Sequence, residues 1–287
     1  MAVSKEDYIS NDPVTWCPGC GNFGILTALK QALVELDLEP YRIIMVSGIG
    51  QAAKLPHYLK CNTFNGLHGR TLPVAFAAKV VNHKMVVIAD GGDGDAYAEG
   101  GNHFVHAIRR NADMTYLVHD NQIYGLTKGQ ASPTTDIGAK TGTTPFGSFN
   151  EPEHPLAMAV ALNCSFVARG FAGDPAHLSK IIKEAVQHSG FSFIDILQPC
   201  ITYNKVNTFQ WYKERVYKLD EDLSYDPKNR IDAFKKALEW GEKIPVGVIY
   251  KTERPVYEDN IPAIKENPLV DQPLEAPSLE KMLEKYY

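Results

Sequence analysis

Two groups of side chains in this chain have the types and spacing to do chemistry. The first is Asp93 and Asp95 in Gly91-Gly92-Asp93-Gly94-Asp95, followed downstream by Asn121 in Asp120-Asn121-Gln122-Ile123. A carboxylate, an amide oxygen and free main-chain carbonyls form a hard-oxygen set suited to Mg²⁺ that also holds a diphosphate. Gly91, Gly92 and Gly94 would let the backbone approach such a diphosphate closely, with the next helix pointing its N-terminus at it. A Gly-Asp-Gly by itself is a common turn, so the weight rests on its context. The second group is Cys17 and Cys20 in Trp16-Cys17-Pro18-Gly19-Cys20-Gly21, with Cys200 far downstream after Pro199. A redox dithiol, a zinc knuckle, iron–sulfur ligands and chance all compete for it. A thioredoxin-type dithiol needs a βαβ start upstream, which is missing. Zinc needs two further ligands at compact spacing, and none is visible. A [4Fe–4S] cluster needs four thiolates and tolerates distant ones. Cys200 is a natural third, because Pro199 cannot extend a strand and turns the chain there.

The elements around these residues decide whether they can meet. Residues 85–89 read as an apolar strand, followed by the glycine-rich turn, a helix, and a second apolar strand running into Asp120-Asn121. Parallel strands joined by a helix end on the same edge of a sheet. Asp93 and Asn121 are therefore expected side by side at the carboxyl ends of neighbouring strands, where open α/β sheets bind ligands. Upstream, residues 25–36 stripe one helix face with Ile25, Leu29, Leu33 and Leu36. Residues 42–47 read as a strand ending in Gly48-Ile49-Gly50, and 72–82 as a helix of small and branched residues. Residues 129–153 form a long polar loop, of a length usually functional in a compact domain. Beyond it a helix (154–164), a strand (165–171), a helix (176–189, opened by Asp174-Pro175) and a strand (192–198) follow.

This alternation indicates an α/β fold, a doubly wound and mainly parallel sheet, over residues 1–205. Residues 206–287 read as a C-terminal extension packing on the domain or on a partner subunit. Ile231, Phe234 and Leu238 stripe a helix there, and 246–250 suit a final strand. Residues 251–287 carry Pro255, Pro262, Pro268, Pro273 and Pro277 among acids, a tail with little core of its own.

The 287 residues are 44% hydrophobic and 22% charged, as in an ordinary globular protein with an ample core. A net charge of −5 argues against nucleic acid or an anionic membrane as partner. No apolar run approaches the ~18 residues of a membrane span, and the polar start MAVSKEDYISND does not read as a signal peptide. Five cysteines, an odd number including a Cys-x-x-Cys, suit a cytoplasmic metal or redox site better than a disulfide framework.

Gly92-Asp93-Gly94 followed by Asn121 resembles the signature of thiamine-diphosphate enzymes. In that family the Asp, the Asn and the main-chain carbonyl two residues later, here Ile123, bind the metal. WCPGCG at 16–21, GIG at 48–50, LHGR at 67–70, GDGD at 92–95, GGNHFVHAIRRN at 100–111, DNQIYGLTKGQASPTT at 120–135 and QPC at 198–200 together narrow the likeness. They resemble the β subunit of 2-oxoacid:ferredoxin oxidoreductases over roughly residues 13–205.

The resemblance implies a thiamine-diphosphate-binding fold, with Cys17, Cys20 and Cys200 binding a [4Fe–4S] cluster beside thiamine diphosphate and Mg²⁺. Many members carry a further cluster cysteine directly after the GIG turn, where this chain has Gln51. Cys61 is the expected substitute, ahead of a non-cysteine ligand, and Cys164 is read as a small core residue. Gly50, Gln51, His68, Gly92, Gly94, Asp95, Gly125 and Leu126 are the further expected cofactor contacts. Lys54, His68, Thr127 and Lys128 are candidates for the reacting centre, the cations to meet a substrate carboxylate or a phosphate. His103 and His106 are read as packing or surface residues.

The implied activity is oxidative decarboxylation of a 2-oxoacid to acyl-CoA and CO₂, or its reverse, with coenzyme A accepting the acyl group and ferredoxin the electrons. The WCPGCG form leans towards 2-oxoglutarate. Family enzymes complete the site with a second α/β domain that this chain lacks, so activity is expected only with an α subunit, with or without small γ or δ subunits. The rival readings are a cluster-free thiamine decarboxylase or synthase half, and a non-catalytic zinc-binding module.

Overall fold

The computed structural model describes residues 2–273 and 278–284. Pro277 of the proline-rich tail lies outside the described residues. In chain order the strands are β1 (Ile43–Ser47), β2 (Asn62–Asn65), β3 (Val86–Gly92), β4 (Met114–Asp120), β5 (Ile123–Tyr124), β6 (Gln130–Ala131), β7 (Phe166–Phe171), β8 (Phe191–Leu197), β9 (Val216–Lys218) and β10 (Ile244–Lys251). The helices are α1 (Asn22–Glu35), α2 (Thr71–Val81), α3 (Gly101–Arg110), α4 (Pro155–Ala161), α5 (Pro175–Gln187), α6 (Phe209–Lys213), α7 (Arg230–Leu238) and α8 (Leu279–Leu283).

Eight strands form one sheet in the order β2-β1-β3-β4-β8-β7-β10-β9, and β5 and β6 make a separate small hairpin. Every neighbouring pair in the large sheet is parallel except β7 with β10. The central strands β4 and β8 are buried along their whole length, as strands covered on both faces must be. One apolar core, with Ile25, Leu29 and Leu33 of α1 and Leu178, Ile181 and Ile182 of α5, fills one face. The other core takes Leu72, Phe104, Leu156 and Ala233 from α2, α3, α4 and α7. The sheet is thus doubly wound and mainly parallel. β1, β3, β4, β8 and β7 all deliver their carboxyl ends to one edge.

A buried polar chain fastens the start of α1 to that edge. Asn22 Oδ1 lies 2.8 Å from His119 Nδ1, and His119 Nε2 lies 2.9 Å from Asp90 Oδ1. Burial pushes the Asp90 carboxyl up from its ordinary range, while His119 pulls it down.

Three features depart from the sequence pattern. The strand expected at 85–89 continues through Asp90, Gly91 and Gly92, which pair with Leu117, Val118 and His119, so the turn begins only at Asp93. The helix over 230–238 turns its Ile231, Phe234 and Leu238 stripe outward, these being 68%, 38% and 42% exposed. Its buried residues are instead Ala233 and Ala237, whose small side chains allow close approach to α4. The region beyond 205 also supplies β9 and β10 to the same sheet, so the division at 205 falls within one continuous β-structure. After β10, Arg254 donates to the carbonyls of Ile108 and Asn163, Tyr257 packs edge-on against Phe76, and Ile264 is buried. Residues 252–264 therefore lie across this chain's own helices.

Candidate active site

The β3–β4 register pairs Gly92 with His119, so Asp93 and Asp120 emerge level with each other and Asn121 comes one residue later. A single π-helical turn, Gly94–Glu99, separates Asp93 from α3. Gly94 has no room for a side chain, since a Cβ there would stand 2.2 Å from Cε1 of Tyr124. One cavity gathers Gly50, Gln51, His68, Gly92, Asp93 and Gly94 from the first three turns of the edge. Asp95, Asn121, Ile123, Gly125, Leu126 and Thr127 complete its wall, with Ile49, Ala52 and Tyr124 between them. It encloses about 70 Å³. Lys54 and Lys128 are not in this wall. Lys54 is half-buried on the turn after Gln51, and Lys128 is exposed with φ at 77°.

Asp93 is 2% exposed, and burial raises its carboxyl to about 6 against the pull of Ser132, Thr134 and the Gly94 amide. Thr134 Oγ1 lies 3.0 Å from Asp93 Oδ2 and 2.7 Å from Asp120 Oδ1. A hydroxyl has one proton, so it donates to one of these acids and receives from the other. Asp120 is held well above the carboxylate range, by burial first and then by the charges of Asp195 and Asp93. Thr134 thus bridges the two buried acids and ties Asp93 to Asp120. Asn121 Oδ1 accepts the Ile123 amide at 3.0 Å, and its Nδ2 donates to Gln198 Oε1 at 3.0 Å. Asp93, the Asn121 amide oxygen and the Ile123 carbonyl, beside main-chain glycines, are donors that fit Mg²⁺ carrying a diphosphate.

Asp95 does different work. Its Oδ1 accepts the amides of Ile49 and Gly69, both at 2.9 Å, and its Oδ2 accepts the Thr71 hydroxyl at 3.0 Å. His68 Nδ1 lies 3.0 Å from the same Oδ1. Asp95 thus ties the turn after β1 to the start of α2, with His68 beside it at the cavity wall, leaving its carboxylate committed to protein.

The cysteine loop lies against the same edge. The Gly21 amide donates to the Pro199 carbonyl at 3.3 Å, which joins the start of α1 to the end of β8. Cys17, Cys20 and Cys200 lie near one another there. Burial pushes the Cys20 thiol up to about 11, and Cys200 and Cys17 are close enough that their charges add to the rise. Gln198 Nε2 donates to Cys20 Sγ at 3.5 Å, and the Thr202 hydroxyl to Cys17 Sγ at 3.3 Å. Among the described residues no three His, Cys, Asp or Glu side chains converge on a single ion. A cubane instead takes its thiolates at separate corners, and donors aimed at two of the sulfurs suit such a group.

The other two cysteines lie elsewhere. Cys61 immediately precedes β2, and β2 runs parallel to β1 with Asn62 beside Ile44 and Asn65 beside Ser47. Cys61 is therefore at the amino-terminal edge of the sheet, opposite the rim, where burial raises its thiol to about 12. The structure does not bring it to Cys17, Cys20 and Cys200. Cys164 is fully buried and donates towards the carbonyls of Phe166 and Phe191 at 3.4 Å each. Gln198 and Thr134 were missed by the sequence reading as individual residues, although QPC and ASPTT were noted.

Comparison with known proteins places this geometry. Residues 45–196 match the family described as thiamine pyrophosphate enzyme, C-terminal TPP binding domain. Residues 200–266 match the C-terminal part of the pyruvate ferredoxin oxidoreductase β subunit. The 2-oxoacid:ferredoxin oxidoreductase subunit beta of Saccharolobus solfataricus is 46% identical over 286 residues, covering 92% of each chain. The chain belongs to the β subunits of the 2-oxoacid:ferredoxin oxidoreductases.

Relatives of this β subunit include the 2-oxoglutarate synthase subunit KorB of Archaeoglobus fulgidus, 38% identical over 85% of this chain and 94% of that one. Among solved structures, the 2-oxoglutarate:ferredoxin oxidoreductase from Magnetococcus marinus with 2-oxoglutarate, coenzyme A and succinyl-CoA bound superposes with a TM-score of 0.91. That match has 35% identity and covers 99% of this chain and 96% of the other. The β subunit is thus an oxidoreductase subunit acting on 2-oxoacids, built on the thiamine-diphosphate-binding domain. Among its described residues no helix is long and apolar enough to cross a membrane.

Proposed function

We propose that this chain is the β half of an enzyme that oxidatively decarboxylates 2-oxoglutarate in preference to other 2-oxoacids, forming acyl-CoA and CO₂ and passing electrons through a [4Fe–4S] cluster to ferredoxin. The observation that carries this reading is that the oxygen cradle and the cysteine loop share one sheet edge, with Gln198 hydrogen-bonded to a member of each. Thiamine diphosphate, when bound, supplies a carbanion that attacks the 2-oxo carbon and accommodates the electron pair left as CO₂ departs.

The residues of this chain do the rest by position. Asp93, Asn121 and the Ile123 carbonyl would hold Mg²⁺ with its diphosphate, and Gly92 and Gly94 would keep the wall clear for it. Thr134 keeps the Asp93 carboxylate oriented and ionised. His68 lines the cavity beside Asp95, and Thr127 lines it from the turn after β5. Lys54 and Lys128 flank the rim and supply positive charge for a substrate carboxylate or a phosphate. Cys17, Cys20 and Cys200 would hold the cluster at the same sheet edge as the oxygen cradle, where it would supply one-electron acceptance. Relatives are named as β subunits, which supports a partner α subunit completing the site, so turnover needs that subunit. The relatives named for 2-oxoglutarate support the preference over pyruvate.

The test is an anaerobic assay of the co-purified complex against pyruvate, 2-oxoglutarate and branched 2-oxoacids, with coenzyme A and ferredoxin. Reduction of ferredoxin should be fastest with 2-oxoglutarate and absent for the isolated β chain. Asp93→Ala should remove Mg²⁺-dependent thiamine diphosphate binding. A complex that decarboxylates without reducing ferredoxin would instead support a cluster-free half-enzyme.

A further inference from the structure

We propose that this chain holds its cluster by three thiolates only, Cys17, Cys20 and Cys200, and that Gln51 stands at the fourth corner, leaving one iron without a cysteine. The inference rests on the cluster reading above and goes beyond it. The chain has five cysteines, and two are excluded by place. Cys61 is separated from the rim by the length of β1, and Cys164 is sealed in the core against two carbonyls. No fourth thiol of this chain can reach the loop without unmaking the sheet.

Gln51 is tied to the loop through its main chain. Trp16, next to Cys17, donates from its indole Nε1 to the Gln51 carbonyl at 2.7 Å. Trp16 is itself buried and wedged edge-on against Phe23 and Tyr58, so this contact fixes residue 51 against the cysteine loop. Gln51 also lines the cavity with Asp93 and Asn121, so it borders the oxygen cradle as well as the loop. Its Oε1 is buried and has no hydrogen-bond partner. Buried amide oxygens are nearly always paired, so an unpaired one at this spot points to a ligand.

An amide oxygen is a harder and weaker donor to iron than a thiolate, so the corner it faces is the one that lets go. A one-electron oxidant such as ferricyanide should convert [4Fe–4S]²⁺ to [3Fe–4S]⁺, releasing one Fe²⁺ and giving one electron to the oxidant. All four sulfides and the three thiolates stay in place. Ferrous iron with a thiol reductant should reverse the step.

The experiment uses the anaerobically purified complex with its α subunit, read by iron and sulfide analysis and by electron paramagnetic resonance. One equivalent of ferricyanide should produce the near-isotropic signal of an oxidised three-iron cluster, and ⁵⁷Fe²⁺ should enter one site on reconstitution. Gln51→Cys should slow this loss of iron about tenfold or more, as a supplied ligand does, and Gln51→Ala should speed it. Wild type resisting oxidation as well as Gln51→Cys would overturn the inference and indicate a fourth thiolate from the partner. Absence of iron and sulfide from wild type, equal to a Cys17→Ala variant, would overturn the cluster reading itself.

Discussion

The side-chain amide of Gln198 donates to the Cys20 sulfur across 3.5 Å. Its other end accepts Asn121 Nδ2 at 3.0 Å, and its Nε2 also reaches the Pro199 carbonyl at 2.8 Å. The residue is 1% exposed, so these bonds exchange little with water. A donor on a cluster sulfur stabilises the more negative, reduced state, and orienting partners commonly tune metal affinity. With the proposed cluster bound, Gln198→Leu should therefore make its potential more negative and weaken thiamine diphosphate binding about tenfold, with the fold intact. Potentiometric titration followed by electron paramagnetic resonance, alongside cofactor titration, reads both effects. A change in neither quantity would reduce Gln198 to a packing residue.

Thr134 is the only hydroxyl in contact with both Asp93 and Asp120 among the described hydrogen bonds. Thr134→Val keeps the shape and removes the donor, leaving Asp93 to hold its charge with less help. The expected outcome is a 10- to 100-fold loss of Mg²⁺-dependent thiamine diphosphate affinity, the usual range for an orienting partner. Unfolding free energy should fall by about 1–3 kcal/mol as buried polar atoms lose their partner. Thr134→Ser should restore the affinity. Calorimetric titration that finds valine and threonine equal would remove Thr134 from the site.

Asp195 gives a pH dependence of defined sign. It is buried under the sheet edge, where it accepts the Tyr97 hydroxyl at 2.5 Å, and burial lifts its carboxyl to about 6 despite the attraction of Arg169. The folded state thus binds this proton more tightly than the unfolded chain. Stability from this group is greatest at low pH and is lost as pH rises from the ordinary carboxylate value through about 6. Asp195→Asn keeps an acceptor for Tyr97 and cannot ionise, and Arg169 retains the carbonyls of Ala237, Glu239 and Pro245. The variant should match wild type in urea at acidic pH and become the more stable of the two above pH ~6. Lower stability of the variant at pH ~8 would mean that the attraction of Arg169 outweighs burial and that this carboxyl is not raised.

The Asp93–Asn121 pairing was legible in the sequence because it depends only on strand direction, which two apolar runs joined by a helix dictate. The same logic gave Cys200 its place, since a proline after a buried strand ends it at the ligand edge. Cys61 was misplaced because spacing from the GIG turn does not say which end of the next strand a residue occupies. Here a 3₁₀ segment, Ala52–Tyr58, carries the chain back down the sheet before β2 begins. The stripe on α7 misled for another reason. Apolar periodicity marks one face of a helix, but close packing against α4 selected the alanine face instead. The antiparallel direction of β10 leaves no trace in side-chain alternation. Gln198 and Thr134 are polar residues whose roles arise from contacts with positions far away in sequence, which no local pattern encodes.

Gly24 offers a test of how tightly the cysteine loop is placed by the fold. It lies in the first turn of α1, a few residues after Cys20, where the helix crosses the chain just past β7. A Cβ at Gly24 would stand 2.0 Å from the Ala172 carbonyl oxygen, a backbone atom that cannot swing aside. Gly24→Ala must therefore lift the helix start away from the sheet, at a cost of about 1–3 kcal/mol or more. The melting temperature should fall by several degrees, roughly 2–4 °C per kcal/mol for a domain of this size class. Because α1 and the loop before it move together, iron retention should fall as well. Gly101→Ala is the control, as a Cβ at the start of α3 meets nothing within 4 Å. That change should be neutral or stabilise by up to about 1 kcal/mol, with iron content unchanged. Equal melting temperatures and equal iron in the two variants would show that the loop is positioned by its own contacts and not by the seating of α1 on the sheet.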